Sequence, residues 1–463
     1  MCMKNLKQLC IVILLLGCLV CPANAKSVNK LSKECVNRSA TIFVMDNSKT
    51  EEAIKETDNA IWLNPRNAEA YYLRSSLLYI SDNSEKALED ADKAILLKPK
   101  RSEYYILRGD IKADLRDYDG AFLDYDYAIK LKPRNYEAYN ARADLEQEIQ
   151  YYKRAEFDYL KAIKLNKKYS YAYRGLGKIY NIKNDKKLAK KCFACAIAYD
   201  KEDTASMHDL ANIFFEEHNY DAALFLCDEI LNKDGHNART LALRTLCNIQ
   251  LKEYNDAITD MDNLLALHDS SVEEINQFIY FEKGYCEYKL KNYKEAIIDF
   301  GNAITINPKY QDAYYSRGLC KGALKDYKGA LNDFNKAVQL GMHDDELYYN
   351  IGICRIGLKD YRNALANYNK AIKINPKNSS AYCNRGICKR HLKNYKGALA
   401  DYNTSILLDS ENAEAFYNRG VLKIMQNDKV SGKEDLVIAK TLALKTNNTK
   451  IYNETLNALA KLK

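Results

Sequence analysis

Residues 315–341 read YSRGLCKGALKDYKGALNDFNKAVQLG. Thirty-four residues on, residues 349–375 read YNIGICRIGLKDYRNALANYNKAIKIN, and after another thirty-four, residues 383–409 read CNRGICKRHLKNYKGALADYNTSILLD. A fixed period of this size signals a repeat architecture, in which each unit buries its apolar face only by stacking on the next. Alanine, a bulky residue four on and a small residue seven on recur as Ala330, Phe334 and Ala337, as Ala364, Tyr368 and Ala371, and as Ala121, Tyr125 and Ala128. The spacing i, i+4, i+7 is one face of a helix.

Upstream of each such helix a tyrosine precedes a glycine by four residues: Tyr105 and Gly109, Tyr314 and Gly318, Tyr348 and Gly352, Tyr382 and Gly386. Glycine inside a helix costs about 1 kcal/mol relative to alanine. Its recurrence therefore points to close helix–helix approach, with the glycine expected to face the small alanine of the second helix. Leu324–Tyr327 and Leu392–Tyr395 join the two helices, with Asp326 and Asn394 as N-caps. Pro65, Pro99, Pro133, Pro308 and Pro376 fall at one point of the unit, where the residue before proline leaves helical geometry. The one other proline, Pro22, is near the N-terminus.

This helix–turn–helix pattern resembles the tetratricopeptide repeat family, as in Tyr314, Gly318, Tyr327, Ala330, Phe334 and Ala337. Lys321 stands where that family often has tyrosine. The resemblance implies an all-α fold, a right-handed superhelical solenoid of about twelve 34-residue helix–turn–helix repeats. The expected divisions are a signal peptide at 1–25, a linker at 26–33, units one to seven with a short insertion at 34–276, units eight to twelve at 277–446, and a capping helix at 447–463. The insertion is placed around Val272–Asn276, and Gly432 in place of alanine marks a frayed last unit.

The resemblance also implies that partners, usually peptides, lie against the first helix of each unit on a concave face. In early units that stripe reads Glu103, Asp110, Asp114, Glu137, Asn140, Asp144, Gln147 and Glu148, a mostly acidic wall. In later units it reads Phe281, Tyr285, Tyr288, Tyr315, Leu319, Tyr349, Ile353, Ile356, Ile387, Tyr417, Val421, Ile424 and Met425, an apolar, tyrosine-rich wall. All but Ile387, Ile424 and Met425 are the ten expected partner-binding residues, because apolar surface of this kind marks interaction sites. The competing expectation is that they pack neighbouring helices or the chain's own C-terminal helix. The family's basic clamp for C-terminal carboxylates is not matched, since Tyr315 and Leu319 occupy its places.

The first 25 residues have Lys4 and Lys7, an apolar run, and Ala23-Asn24-Ala25 at their end, the pattern of a cleaved secretory leader. Export is therefore expected, to a periplasm or the outside. Leu15-Leu16-Gly17-Cys18 gives a lesser reading as a lipoprotein box. No other run is long enough for a membrane span. Removing the leader lowers the formal charge of +8 by two, too little to argue for nucleic acid.

Cys247, Cys286, Cys320, Cys354 and Cys388 share one slot, held elsewhere by Leu77, Ile111, Leu145, Ile179 and Ile213. They read as buried free thiols acting as small hydrophobes. Cys192 and Cys195 have C-x-x-C spacing within a second helix and read as packing rather than a metal or redox pair. No catalytic, cofactor or metal motif appears, and the repeats leave no room for a catalytic domain. The expected function is a non-catalytic scaffold for a protein or peptide partner, in cell-envelope or secretion-complex assembly. The alternative is a carbohydrate-binding solenoid that uses the tyrosines.

Overall fold

The computed structural model describes residues 28–267 and 276–462. The leader at 1–25, Cys18 with it, and most of the insertion at Val272–Asn276 lie outside those residues. Among the described residues there are 25 α-helices and no strand. The chain divides into two compact units, Met1–Leu226 and Cys227–Lys463, a division that falls inside a helix and not near residue 276.

The first unit holds α1 (Val28–Met45), α2 (Thr50–Leu63), α3 (Ala68–Ile80), α4 (Ser84–Leu97), α5 (Ser102–Asp114) and α6 (Tyr118–Leu131). It continues with α7 (Tyr136–Glu148), α8 (Tyr152–Leu165), α9 (Ser170–Ile182), α10 (Lys186–Tyr199), α11 (Thr204–Glu216) and the start of α12 (Tyr220–Lys233). The second unit holds α13 (Ala238–Leu251), α14 (Tyr254–Ala266), α15 (Asn276–Lys289), α16 (Tyr293–Ile306), α17 (Gln311–Ala323) and α18 (Tyr327–Gln339). It ends with α19 (Asp345–Gly357), α20 (Tyr361–Ile374), α21 (Ser379–His391), α22 (Tyr395–Leu408), α23 (Ala413–Met425), α24 (Lys429–Lys445) and α25 (Thr449–Ala460). These are twelve helix pairs and one further helix.

Within each unit odd-numbered helices pack on the even ones that follow, as α3 on α4 and α17 on α18. The alanine–aromatic–alanine face of the second helices is buried throughout, from Ala121, Tyr125 and Ala128 to Ala364, Tyr368 and Ala371. The five-cysteine slot is buried, and all ten described cysteines are free thiols. Burial pushes Cys286, Cys320 and Cys388 up to about 12, so each stays a neutral apolar filler. Cys192 is buried with them and pushed up to about 11.

The recurring glycine does not face an alanine. A Cβ at Gly318 would lie 2.6 Å from Cε1 of Phe334, and one at Gly109 would lie 2.6 Å from Cε1 of Tyr125. The missing side chain thus makes room for the aromatic ring of the second helix, the bulkiest group at the crossing. The turns carry a feature the sequence did not advertise. Lys325, Lys359 and Lys393 adopt left-handed backbone, with φ of 65°, 61° and 63°. Asp326 and Asn394 then cap the second helix, accepting from the backbone N–H of Gly329 and Gly397. At the far end Asn307 and Asn375 are extended, and their side chains accept from the N–H of Lys309 and Lys377. Asn166, Asp200 and Asp409 make the same turn where the proline is missing.

Two expectations about the ends need correction. Residues 28–33 are not linker but the first part of α1. Ser32 is buried there, donating to the Ala60 carbonyl and accepting from Asn67. Nor does Gly432 fray the last pair. A Cβ at Gly420 would lie 2.8 Å from the Gly432 carbonyl, so two glycines let α23 and α24 approach backbone to backbone.

A polar ladder runs beside the apolar core. An arginine on the first helix grips an aspartate sixteen residues on, through two parallel bonds: Arg74 and Asp90, Arg108 and Asp124, Arg142 and Asp158, Arg244 and Asp260. Arg317 and Asp333, Arg385 and Asp401, and Arg419 and Asp435 repeat it. The third nitrogen usually reaches the preceding repeat, as Arg108 reaches Asp92 at 2.6 Å and Arg385 reaches Asn369 at 2.9 Å. The tyrosine three residues before the arginine lies under its guanidinium, as Tyr382 does under Arg385 at 5.1 Å.

One rung is defective. Lys283 replaces the arginine, and its ammonium sits 2.5 Å from Asp262 but 3.9 Å from Asp299. Burial pushes Asp299 up to about 6; Lys283 opposes the shift, while Glu287, Asp262 and Glu295 add to it. Asp299 is only 6% exposed. Because its folded value lies above its unfolded one, the folded chain holds the proton more tightly, and stability falls as pH rises from about 4 to 6. Lys283→Arg supplies the two-pronged grip and is expected to add on the order of 1 kcal/mol at pH 7, allowing for solvent screening. Paired melting curves check this: the gain should be present at pH 7 and vanish near pH 4.

Candidate partner-binding surface

The slot one glycine-length further along the first helix distinguishes the two units. It holds Ser76, Asp110, Asp144, Lys178 and Asn212 in the first, and Tyr285, Leu319, Ile353, Ile387 and Val421 in the second. In the first unit the second-helix tyrosine crosses the glycine and donates to that carboxylate, Tyr125 to Asp110 at 2.9 Å and Tyr159 to Asp144 at 2.7 Å. In the second unit the rings of Tyr368 and Tyr402 lie against Gly352 and Gly386, each next in sequence to Ile353 or Ile387, and the buried Tyr368 hydroxyl has no partner. Replacing an acid by a branched alkyl group has removed an acceptor and created apolar surface at one stroke.

The ten expected residues fall into three groups. Ile353 is open, 38% exposed, and Tyr285, Leu319, Ile356 and Val421 are half-buried around the same slots. Lys289 holds its ammonium 4.9 Å over the Tyr285 ring. Tyr315 and Tyr349 are also half-buried but serve the repeats themselves. The Tyr315 hydroxyl accepts from Asn350 at 3.0 Å and that of Tyr349 from Asn384 at 3.2 Å, each in the next repeat. Their rings rest on Phe334 and Tyr368, with centroids 5.8 Å away in both cases. Phe281, Tyr288 and Tyr417 are mainly packing residues. Phe281 lies against Phe300 and Tyr310, Tyr288 against Tyr293, and Tyr417 beside Ala443 and Ile451 of the last two helices. The stripe is therefore continuous through α15, α17 and α19, while its last part is shared with α25.

The acidic stripe of the first unit is more buried than its polarity suggests. Asn140 donates to Asp144 at 2.9 Å, and Ser84 donates to Asp114 at 2.6 Å. Burial pushes Asp144 up to about 6, and Asp110 nearby adds to the effect. Glu137 is raised by burial and by Glu103. Among the described residues no group of three His, Cys, Asp or Glu side chains could hold a metal ion, and no helix is long and apolar enough to cross a membrane.

Paired helices in register, with a variable face on each first helix, define a helical-repeat scaffold. Tetratricopeptide repeat models match residues 68–101, 277–310, 311–340, 346–378 and 367–400. The chain is a tetratricopeptide repeat protein. Among solved structures it is similar to the Cut9–Hcn1 hetero-tetramer of the APC/C at 13% identity, covering 93% of this chain and 98% of that one, with a TM-score of 0.37. It is similar to the C-terminal part of a TPR repeat-containing protein from Cytophaga hutchinsonii at 18% identity, covering 53% of this chain and 98% of that one, with a TM-score of 0.43. It is also similar to YrrB, described as a TPR protein with an unusual peptide-binding site, at 23% identity over 41% of this chain and 95% of that one, with a TM-score of 0.35. No curated protein matches the sequence.

Proposed function

We propose that the protein is a non-catalytic scaffold that holds an apolar segment of another protein against the first helices of the second unit. The observation that carries this is the run Tyr285, Leu319, Ile353, Ile387 and Val421, alkyl and aromatic groups in one slot of five repeats where the first unit carries polar side chains such as Ser76, Asp110, Asp144, Lys178 and Asn212. The unpartnered hydroxyl of Tyr368 beside it supports the same reading, since a segment with free backbone groups could satisfy it. Tyr315 and Tyr349 have already committed their hydroxyls to Asn350 and Asn384, which leaves less to a sugar.

The test uses a photo-crosslinking residue at position 353, with position 407 as the outer control, since Leu407 is 85% exposed on α22. Position 353 should give one dominant product that position 407 does not. Leu319→Asp with Ile353→Asp should remove it while helicity is unchanged. Products common to both positions, or insensitive to the aspartates, would end the proposal. In this reading the partner is met after export, in envelope or secretion-complex assembly. The crosslinked chain should then start at Lys26, and an intact leader in the product would remove that part.

A further inference from the structure

The acidic stripe of the first unit has no role in the apolar face, and its chemistry is different. Glu103 and Glu137 occupy one slot of α5 and α7, and Asp110 and Asp144 another. Helices α3, α5 and α7 touch in sequence. Asn140 lies between Glu137 and Asp144 on one face of α7, at spacings of three and four. The Asn140 side chain is 6% exposed, and its Oδ1 has no hydrogen-bond partner. Its amide cannot simply turn over, because Nδ2 donates to the Asp144 carboxylate. An orphaned acceptor so placed needs a donor from outside the chain.

What surrounds it is also acceptor. Glu103, Glu137 and Asp110 all stand close enough to the Tyr72 hydroxyl to oppose its ionisation, which burial also opposes. Tyr72 itself stacks on Tyr104, with ring centroids 4.9 Å apart. Cations also approach from the chain itself: Arg101 pairs with Glu103 at 2.5 Å, on an exposed side chain. Arg174 and Lys178, one repeat on, bear on Asp144. Glu137 has only Lys132 acting against its raised value. The acids are too dispersed for one metal ion to collect three of them. They suit several cations along a strand, because neighbouring repeats stand roughly 8–10 Å apart, about three residues of extended chain.

We propose that this face of the first unit binds a basic segment of another protein, with an arginine or lysine side chain lying between Glu103 and Glu137 and donating to the Asn140 carbonyl. Both side chains are donor-only cations, matching the acceptors that Glu103, Glu137 and Asn140 present. The Tyr72 ring adds an aromatic surface for the cation's stem. The site shares no residue with the apolar face of the second unit, so either can fail without the other.

The probe is a fluorescein-labelled peptide with arginine at every third position, titrated by anisotropy into the full chain. Its counterpart carries glutamate at the same positions. The arginine peptide should bind, weakening as salt rises, and the glutamate peptide should not. Glu103→Gln with Glu137→Gln should weaken binding about tenfold. Glu51→Gln with Glu85→Gln makes the same charge change on exposed residues of α2 and α4 and should change affinity less than twofold. Glu137→Gln should also melt no lower than the parent, because the buried charge it removes is unfavourable, so lost binding cannot be blamed on lost folding. Asn140→Leu should weaken the arginine peptide by severalfold. Equal losses from both glutamine pairs would reduce the attraction to overall charge and overturn the proposal. So would binding of the two peptides alike, or an Asn140→Leu chain that binds as the parent does.

Discussion

Arg142→Met is expected to be the most damaging single change in the arginine–aspartate ladder, lowering stability by about 3–5 kcal/mol. Asp158 is 2% exposed and takes two bonds from Arg142. In four other rungs a lysine four residues after the arginine also holds the aspartate, Lys112, Lys321, Lys389 and Lys423 each at 2.8 Å. In this rung that place belongs to Glu146, and its carboxyl is pushed up to about 7 by burial and by Asp158 itself. Without Arg142, a buried carboxylate would face another acid. Arg385→Met should cost much less, roughly 1–2 kcal/mol, because Lys389 stays beside Asp401. Glu146→Lys, which copies the other rungs, should stabilise.

The fifth repeat supplies the control. At the same two positions it has Leu176 and Cys192, both buried in one apolar cluster. The ladder is thus dispensable where both partners change together, as expected when a buried ion pair gives way to well-packed apolar groups. Arg142→Leu with Asp158→Cys should recover most of the loss. Hydrogen exchange in α7 and α8, read alongside the melting curve, distinguishes local opening of these repeats from global unfolding. A single variant as stable as the parent, or a double variant no better than the single, would show that the rung does not carry this energy.

The ladder also shows what the sequence makes easy and hard to see. Period, helix pairing and the cysteine slot follow from apolar spacing, and they are legible because one-face burial repeats every 34 residues. Arg142 and Asp158 are as regular, sixteen apart in seven rungs, yet charged residues read by default as solvated surface. Only their burial reveals them as partners. The apolar stripe was legible as composition, but not its division of labour. Nothing in Tyr315 or Tyr349 announces that their hydroxyls bind Asn350 and Asn384, since those partners lie 35 residues away in the next repeat. Nor does a tyrosine at 368 declare its hydroxyl unpaired, although Ile353 stands in the slot from which Asp110 serves Tyr125.

Gly318→Val should be the second large effect, a loss of about 2–3 kcal/mol. The expected alanine contact would have made this position forgiving. The actual neighbour is Phe334, and a Cβ alone would fall 2.6 Å from its Cε1 and 2.7 Å from its Cδ1. Phe334 is walled in by Ala330, Ala337 and Leu347, so the ring cannot retreat without moving α17 off α18. Gly318→Ala should also destabilise, but less than valine, because its Cβ meets the same ring atoms and the roughly 1 kcal/mol a helix gains from losing a glycine offsets only part of that clash. The fourth repeat already lives with that compromise, with Ala143 and Tyr159 buried in one cluster. The seventh goes further, with Thr245 where the glycine would be and Met261 in place of the ring. A β-branched first helix thus comes with an unbranched, pliable second one. Gly318→Val with Phe334→Met should regain at least half the loss. Because α17 also carries Tyr315 and Leu319, the single variant should widen the spacing under the apolar stripe and weaken partner capture along with folding. The double should restore both, whereas a single variant that melts like the parent would mean the ring is not fixed where it stands.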